Sequence, residues 1–269
     1  MRDSKSPQLC KARVARAMVL VLLVGWGLAA AGCSGQNAGQ DGLRAAQKLM
    51  AQGKISNART QIDQALAEQS PTYSSYLTAM HLYAANDCHA DAARVGDAVV
   101  DLAEAEKLDR KLSREELAGL YVTVAQMHQE TGNLAGAEHL YEAALALAPD
   151  SAELLNCLGY FYADEGIKPD LAVRLTTRAV QLAPTAGHII DSLGWAQHRA
   201  GDYEAAAQSL RKAVELMPGD PTLRYHLGAV YAQQGKTLQA RIELKKSLSV
   251  DPQMTDAANL LTTLQPESH

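Results

Sequence analysis

The apolar positions of this chain fall into two regimes. From Ala17 to Ala31 they form one unbroken run, AMVLVLLVGWGLAAA, with no charged residue. From Leu43 onward they are interspersed with polar residues, rich in Ala and Leu, and free of the period-two alternation that marks strands. Ala and Leu carry high helix propensity, so the pattern predicts helices throughout the second regime and no sheet. Between the two lies SGQNAGQDG, residues 34–42, whose small, polar, glycine-rich composition predicts a flexible tether.

Within the helical regime the small residues keep a register. Gly159, Gly194 and Gly228 are 35 and 34 residues apart and sit in parallel phrases, LLNCLGYFY, HIIDSLGWA and LRYHLGAVY. Ala172, Ala206 and Ala240 follow at matching offsets, and Pro184, Pro218 and Pro252 close the units. One unit is a residue longer, at Ile167-Lys168-Pro169. A period of this length marks a stack of supersecondary units, each too small to bury its own apolar face.

The order of a large residue, Leu-Gly, Tyr, a later Ala and a closing Pro resembles the tetratricopeptide repeat. One unit supplies Leu155, Leu158, Gly159, Tyr162, Ala172, Ala179 and Pro184; the next supplies Ile190, Leu193, Gly194, Ala206, Leu210, Ala213 and Pro218. A third supplies Leu227, Gly228, Tyr231, Ala240, Leu244 and Pro252, and stepping back from Gly159 finds Tyr121, Val124, Ala125, Ala137, Tyr141, Ala144 and Pro149 in register. The clear repeats are therefore 118–151, 152–186, 187–220 and 221–254. Two weaker units precede them, around Leu49, Ala58, Ile62 and Ala65 and around Tyr76, Tyr83, Ala92 and Val99. An insertion in LAEAEKLDRKLSREE is expected to lengthen one helix and its following loop, and Thr255 to Leu264 to form a closing helix. The resemblance implies an all-α solenoid over residues 43–269, about six helix-turn-helix repeats and a C-terminal cap, with first helices lining a concave groove.

In such a groove the family exposes first-helix positions that fall between the packing residues. In this chain those are His188, Asp191, Trp195, His198 and Arg199, flanked by Asn156, Tyr160 and Asp164 on one neighbouring helix and Tyr225 and His226 on the other, with Gln126 and Gln129 further along. Gln126, Asn156, Tyr160, His188, Asp191, Trp195, His198, Arg199 and Tyr225 are the candidate partner-binding residues. Trp and Tyr offer rigid area with a polar edge, which suits peptide recognition. The carboxylate clamp of some chaperone-binding members needs lysines where Val122, Asp191 and Tyr225 stand, so that ligand is not expected.

The amino terminus carries a different message. Arg2, Lys5, Lys11, Arg13 and Arg16 precede the apolar run, which is shorter than the roughly 20 residues of a membrane span. It ends in Ala30-Ala31-Gly32-Cys33, which resembles the lipobox of bacterial lipoproteins, with Ala30 where Leu is usual. Residues 1–32 are then a signal peptide, Cys33 the lipidated first residue, and 33–42 the tether; Ser34 after the cysteine implies the outer membrane, periplasmic face. Soluble periplasmic and inner-membrane placements are the alternatives.

Five of the 25 basic residues and one of the 30 acidic ones lie in the first 32, so the remainder carries a formal charge of −9. A surface of that sign repels phosphate backbones and disfavours nucleic acid as a partner. Cys88 and Cys157 form no disulfide framework or zinc spacing. No HExxH, GxSxG, paired CxxC or GxGxxG occurs, and Gly235-Lys236-Thr237 lacks the first glycine of a phosphate loop, with Val230 in its place. The chain is thus expected not to be an enzyme, and to need no cofactor, metal or small-molecule substrate. The expected function is an envelope scaffold or adaptor that binds a protein or peptide in its groove; a type IV pilus secretin pilotin or an exopolysaccharide-export accessory protein is the alternative.

Overall fold

The computed structural model describes residues 37–67, 72–108 and 110–264. The segment expected to be a signal peptide, residues 1–32, and Cys33 lie outside the described residues. Thirteen helices and no strand occur among the described residues, in two compact units, 37–148 and 149–264.

The first unit contains α1 (Asn37–Ala51), α2 (Ile55–Ala67), α3 (Tyr73–Ala84), α4 (His89–Glu104), α5 (Arg114–Thr131) and α6 (Leu134–Leu147). Ile62, Met80, Tyr83, Val99, Leu120 and Val124 are fully buried between helices, and Ala46, Ala58, Ala92, Ala125, Ala137 and Ala144 sit where they approach closely. The tether expectation needs correction at residues 37–42, which are already helical. Gly42 explains why: a Cβ there would stand 3.0 Å from Ala65 Cβ, so the bare glycine lets α1 lie against α2. Its smallness, read as flexibility, is a packing device.

The inserted segment 105–113 leaves α4 at 16 residues and feeds an 18-residue α5. The start of α5 is fixed by a reciprocal cap. Ser113 Oγ accepts from Glu116 N at 3.2 Å, and Glu116 Oε2 accepts from Ser113 N at 2.8 Å. Arg110 closes on the same carboxylate with two N–H donors at 3.0 and 2.8 Å. The Arg110 hydrogen bonds first, then the Ser113 amide, hold the Glu116 carboxyl down to about 2. The contribution of this cap is fully present above about pH 4.5, where the unfolded carboxyl is ionised, and is lost as pH falls through about 2. Replacing Ser113 by alanine is expected to lower the stability of the 37–148 unit by about 1 kcal/mol, read as a shift in urea midpoint at unchanged slope.

The second unit contains α7 (Ala152–Glu165), α8 (Pro169–Leu182), α9 (Gly187–Arg199), α10 (Tyr203–Leu216), α11 (Pro221–Gln233), α12 (Thr237–Val250) and α13 (Thr255–Thr263). The register glycines are contact points within each pair. A Cβ on Gly159 would meet Thr176 Cγ2 at 2.7 Å, on Gly194 Leu210 Cγ at 2.5 Å, and on Gly228 Leu244 Cγ at 2.9 Å. Leu210, Leu227 and Val230 then join Ala206 and Ala207 in a core shared by α10 and α11. The residue added at Ile167-Lys168-Pro169 is absorbed in the α7–α8 turn, where Lys168 takes a left-handed conformation (φ 47°) before Pro169 opens α8. Gly235-Lys236-Thr237 is a turn between two helices, with Gly235 left-handed at φ +71° and Lys236 at the head of α12.

Candidate functional site

The stripe predicted on the first helices of the second unit is a connected cluster. Asp191 and Trp195 are one turn apart on α9, and both reach His226 on α11. His226 Nδ1 lies 2.9 and 3.1 Å from the two Asp191 carboxylate oxygens, and each side chain is only 2% exposed. Nδ1 is therefore the protonated nitrogen, donating to the carboxylate. The imidazole stacks on the Trp195 indole, with centroids 4.3 Å apart and planes 18° apart. On the same indole His198 sits at 4.8 Å, tilted 30°, with Tyr203 a further 5.5 Å from His198. Tyr225 borders Trp195 at 6.3 Å and His226 at 5.6 Å.

Four polar atoms in this unit are buried without a protein hydrogen-bond partner: Asn156 Oδ1, Trp195 Nε1, His198 Nδ1 and Gln234 Oε1. A buried donor or acceptor left in this way costs about 1–3 kcal/mol each, so such groups cluster where something else completes them. Burial, then the neighbouring His226 and the Arg199 guanidinium, push His198 down to about 4. It is neutral at neutral pH. Between pH 6.5 and 4 the unfolded chain takes up a proton at this residue and the folded chain does not, so stability present above pH 6.5 is lost as pH falls through that window. His198→Gln is expected to flatten this part of the profile: its urea midpoint drops less than wild type between pH 7 and pH 4.5.

The other predicted residues divide. His188 Nε2 pairs with Glu153 across α7 and α9 at 3.1 Å. Arg199 is exposed and has no hydrogen bond or ion pair among the described residues; its Nη2 stands 2.2 Å from where a Gly166 Cβ would be. The guanidinium thus rests on the bare carboxyl-terminal end of α7, where the helix dipole favours a cation. Asn156, Tyr160 and Asp191 are on the predicted stripe yet 4%, 7% and 2% exposed, deeper than a groove lining requires. Gln126 belongs to the first unit, on α5, with its Nε2 buried and unpartnered. His188, His198 and His226 do not converge: one bonds Glu153, and the other two flank Trp195.

His226 is the centre of the cluster and is absent from the candidate set. A signal for it exists in the sequence. Asp191 and His226 are 35 residues apart, as are Glu153 and His188, so each histidine follows its acid by about one repeat. A second cluster, in the first unit, was not anticipated. His128 Nε2 lies 2.7 Å from Asp97 Oδ1, and Asn133 Nδ2 lies 2.9 Å from His128 Nδ1. Asn133 Oδ1 caps α6 by accepting from Gly136 N, which turns its amide nitrogen toward the imidazole. His128 Nδ1 is therefore an acceptor and Nε2 the donor to Asp97. These residues line an open cavity of about 470 Å³ with Arg94, Asp101 and Thr131.

Comparison with known proteins agrees with the repeat geometry. Two tetratricopeptide repeat family models match, one over residues 26–186 and one over 197–264. The chain belongs to the tetratricopeptide repeat family. A TPR repeat-containing protein of Pseudomonas aeruginosa is 32% identical over 186 residues, covering 69% of this chain and 30% of that protein. Among solved structures, that of the APC/C hetero-tetramer Cut9-Hcn1 aligns with a TM-score of 0.58 at 18% identity, over 95% of this chain and 46% of the other. TTC0263, a thermophilic TPR protein of Thermus thermophilus, aligns with a TM-score of 0.50 at 16% identity, over 84% and 98%. The chain spans about a third of the Pseudomonas relative's length. Proteins of this family generally mediate protein–protein interactions, and the fold is typically a non-catalytic scaffold.

Proposed function

We propose that this chain is a lipid-anchored adaptor of the bacterial envelope that binds a protein segment on the inner stripe of α7, α9 and α11. The observation that carries the binding surface is the Trp195 cluster. It combines partly exposed aromatic area with buried polar atoms that lack partners. Aromatic rings with a polar edge are the side chains that most often dominate binding energy. Asp191 and His226 hold the indole from behind, so the surface is ordered before a partner arrives, which lowers the entropy lost on binding.

The anchor reading rests on the basic head, the apolar run and Ala31-Gly32-Cys33. Several acyl chains on one cysteine, at about 0.8 kcal/mol per buried methylene, hold a protein at a bilayer nearly permanently. Replacing Cys33 by serine is expected to move the chain from the membrane pellet to the soluble envelope fraction and to abolish labelling by a palmitate analogue. Unchanged sedimentation and labelling would remove the anchor from the account.

The binding surface is tested by crosslinking capture from membranes with wild type and Trp195→Leu. Leucine keeps apolar volume beneath His226 while removing the ring and its N–H. A partner retained by wild type and lost from the folded variant supports the surface; equal capture contradicts it. Tyr160 is left alone in this test because it is 7% exposed and its loss would disturb packing.

A further inference from the structure

The inner stripe carries acids, histidines and one arginine, and they are not in the same state. Glu153 is engaged by His188 at 3.1 Å, Asp191 by His226 at 2.9 Å, and Asp164 also has an interaction partner. Arg199 alone is open: it is exposed, and no carboxylate or carbonyl among the described residues accepts from its guanidinium. One turn back on the same helix face, Trp195 presents a buried Nε1–H with no acceptor, and His198 an imidazole nitrogen with no partner. Asn156, 4% exposed with a free Oδ1, adds an unpaired polar atom on the neighbouring helix.

From this imbalance we infer that Arg199 receives an acidic side chain, Glu or Asp, of a partner segment lying along α9 beside Trp195. The inference rests on the reading of this stripe as the binding surface. A guanidinium offers a planar fork that matches a carboxylate with two parallel N–H donors. Gly166 leaves room for the fork against the α7 end, because any side chain there would collide with Nη2. The carboxylate is assigned to a side chain rather than a chain terminus. The paired lysines of a terminal clamp are replaced on this face by Asp191 and Tyr225, and Asp191 is already committed to His226.

The experiment uses the full chain and four fluorescein-labelled decapeptides of Gly, Ser and Leu. Three are amidated and carry Glu, Gln or Arg at the centre; the fourth has central Gln and a free carboxyl terminus. Anisotropy titrations are made with wild type, Arg199→Gln and Arg199→Lys, each checked for an unchanged melting transition. The Glu peptide is expected to bind wild type about tenfold more tightly than the Gln peptide, the scale of one charge-assisted hydrogen-bonded pair. Arg199→Gln should erase that preference, and Arg199→Lys should keep only part of it, because charge without the fork is retained. Equal binding of Glu and Gln peptides, no binding of any peptide, or a preference that survives Arg199→Gln would overturn the inference, as would tighter binding of the Arg peptide or of the free terminus. If capture still depends on Trp195 while the Glu preference is missing, the surface stands and only the carboxylate assignment fails. If capture is independent of Trp195, the surface itself fails.

Discussion

Replacing His226 by alanine should lower the unfolding free energy of the 149–264 unit by about 3–5 kcal/mol, because it strands the Asp191 carboxylate in the interior without its donor. Both groups are 2% exposed, so water cannot take the place of the imidazole. The same substitution takes away the ring that stacks on Trp195 at 4.3 Å, and the two losses fall on one helix pair, α9 and α11. Asp191→Asn should be milder, since its amide oxygen still accepts from Nδ1. Replacing both partners by leucine should recover most of the loss, because no buried charge is then left alone. Urea unfolding followed by far-ultraviolet circular dichroism measures wild type and the three variants, and the informative quantity is the loss in His226→Ala against that in the double-leucine chain. A His226→Ala chain as stable as wild type would show that Asp191 reaches water in solution.

The second large effect belongs to Gly194. A valine there places Cβ 2.5 Å from Leu210 Cγ, 2.9 Å from Leu210 Cδ2 and 3.3 Å from the Ala206 carbonyl oxygen, before its two methyl groups are added. Leu210 is fully buried in the core that joins α10 to α11, so it cannot swing away without opening that core. Overpacking of this kind costs about 1–3 kcal/mol and more when backbone must move, as the Ala206 contact requires here. Gly194→Ala should fall between wild type and valine, because helix propensity returns about 1 kcal/mol. Gly219 is the matched control. It meets nothing within 4 Å and has no positive φ, so Gly219→Ala should leave the midpoint unchanged.

The pair Gly194 and His226 also shows what the sequence discloses and what it withholds. Gly194 declares itself because close approach between paired helices tolerates only a small residue, and the need recurs at Gly159 and Gly228 one period away. The helix order, the pairings and the closing helix α13 follow from that recurrence. Gly42 is equally a contact glycine, but it stands outside the register and among Gln, Asn and Asp, so composition pointed to a tether. Of the candidate residues, Trp195 and Tyr225 border one another, and Asp191 is joined to both through His226. Depth was not legible, because periodicity reports which way a side chain points and not how much of the next helix covers it; Asn156, Tyr160 and Asp191 are buried for that reason. His226 is offset by one residue from the stripe and is drawn in by a carboxylate 35 residues away, a pairing visible only once the repeats are laid side by side. The opposing state of Arg199, open while its acidic neighbours are engaged, depends on side-chain geometry that no spacing encodes.

The claim at the centre of the account is that the partner lies against the inner stripe of α9 and α11. The most direct measurement places a photoactivatable phenylalanine analogue at Tyr225, on that stripe, and in a second chain at Leu238 on α12, which is 62% exposed. Irradiation of intact membranes is predicted to give a covalent adduct with one envelope protein from the Tyr225 position and none from Leu238. An adduct from Leu238 with none from Tyr225 would contradict the account and move the working surface to the second helices.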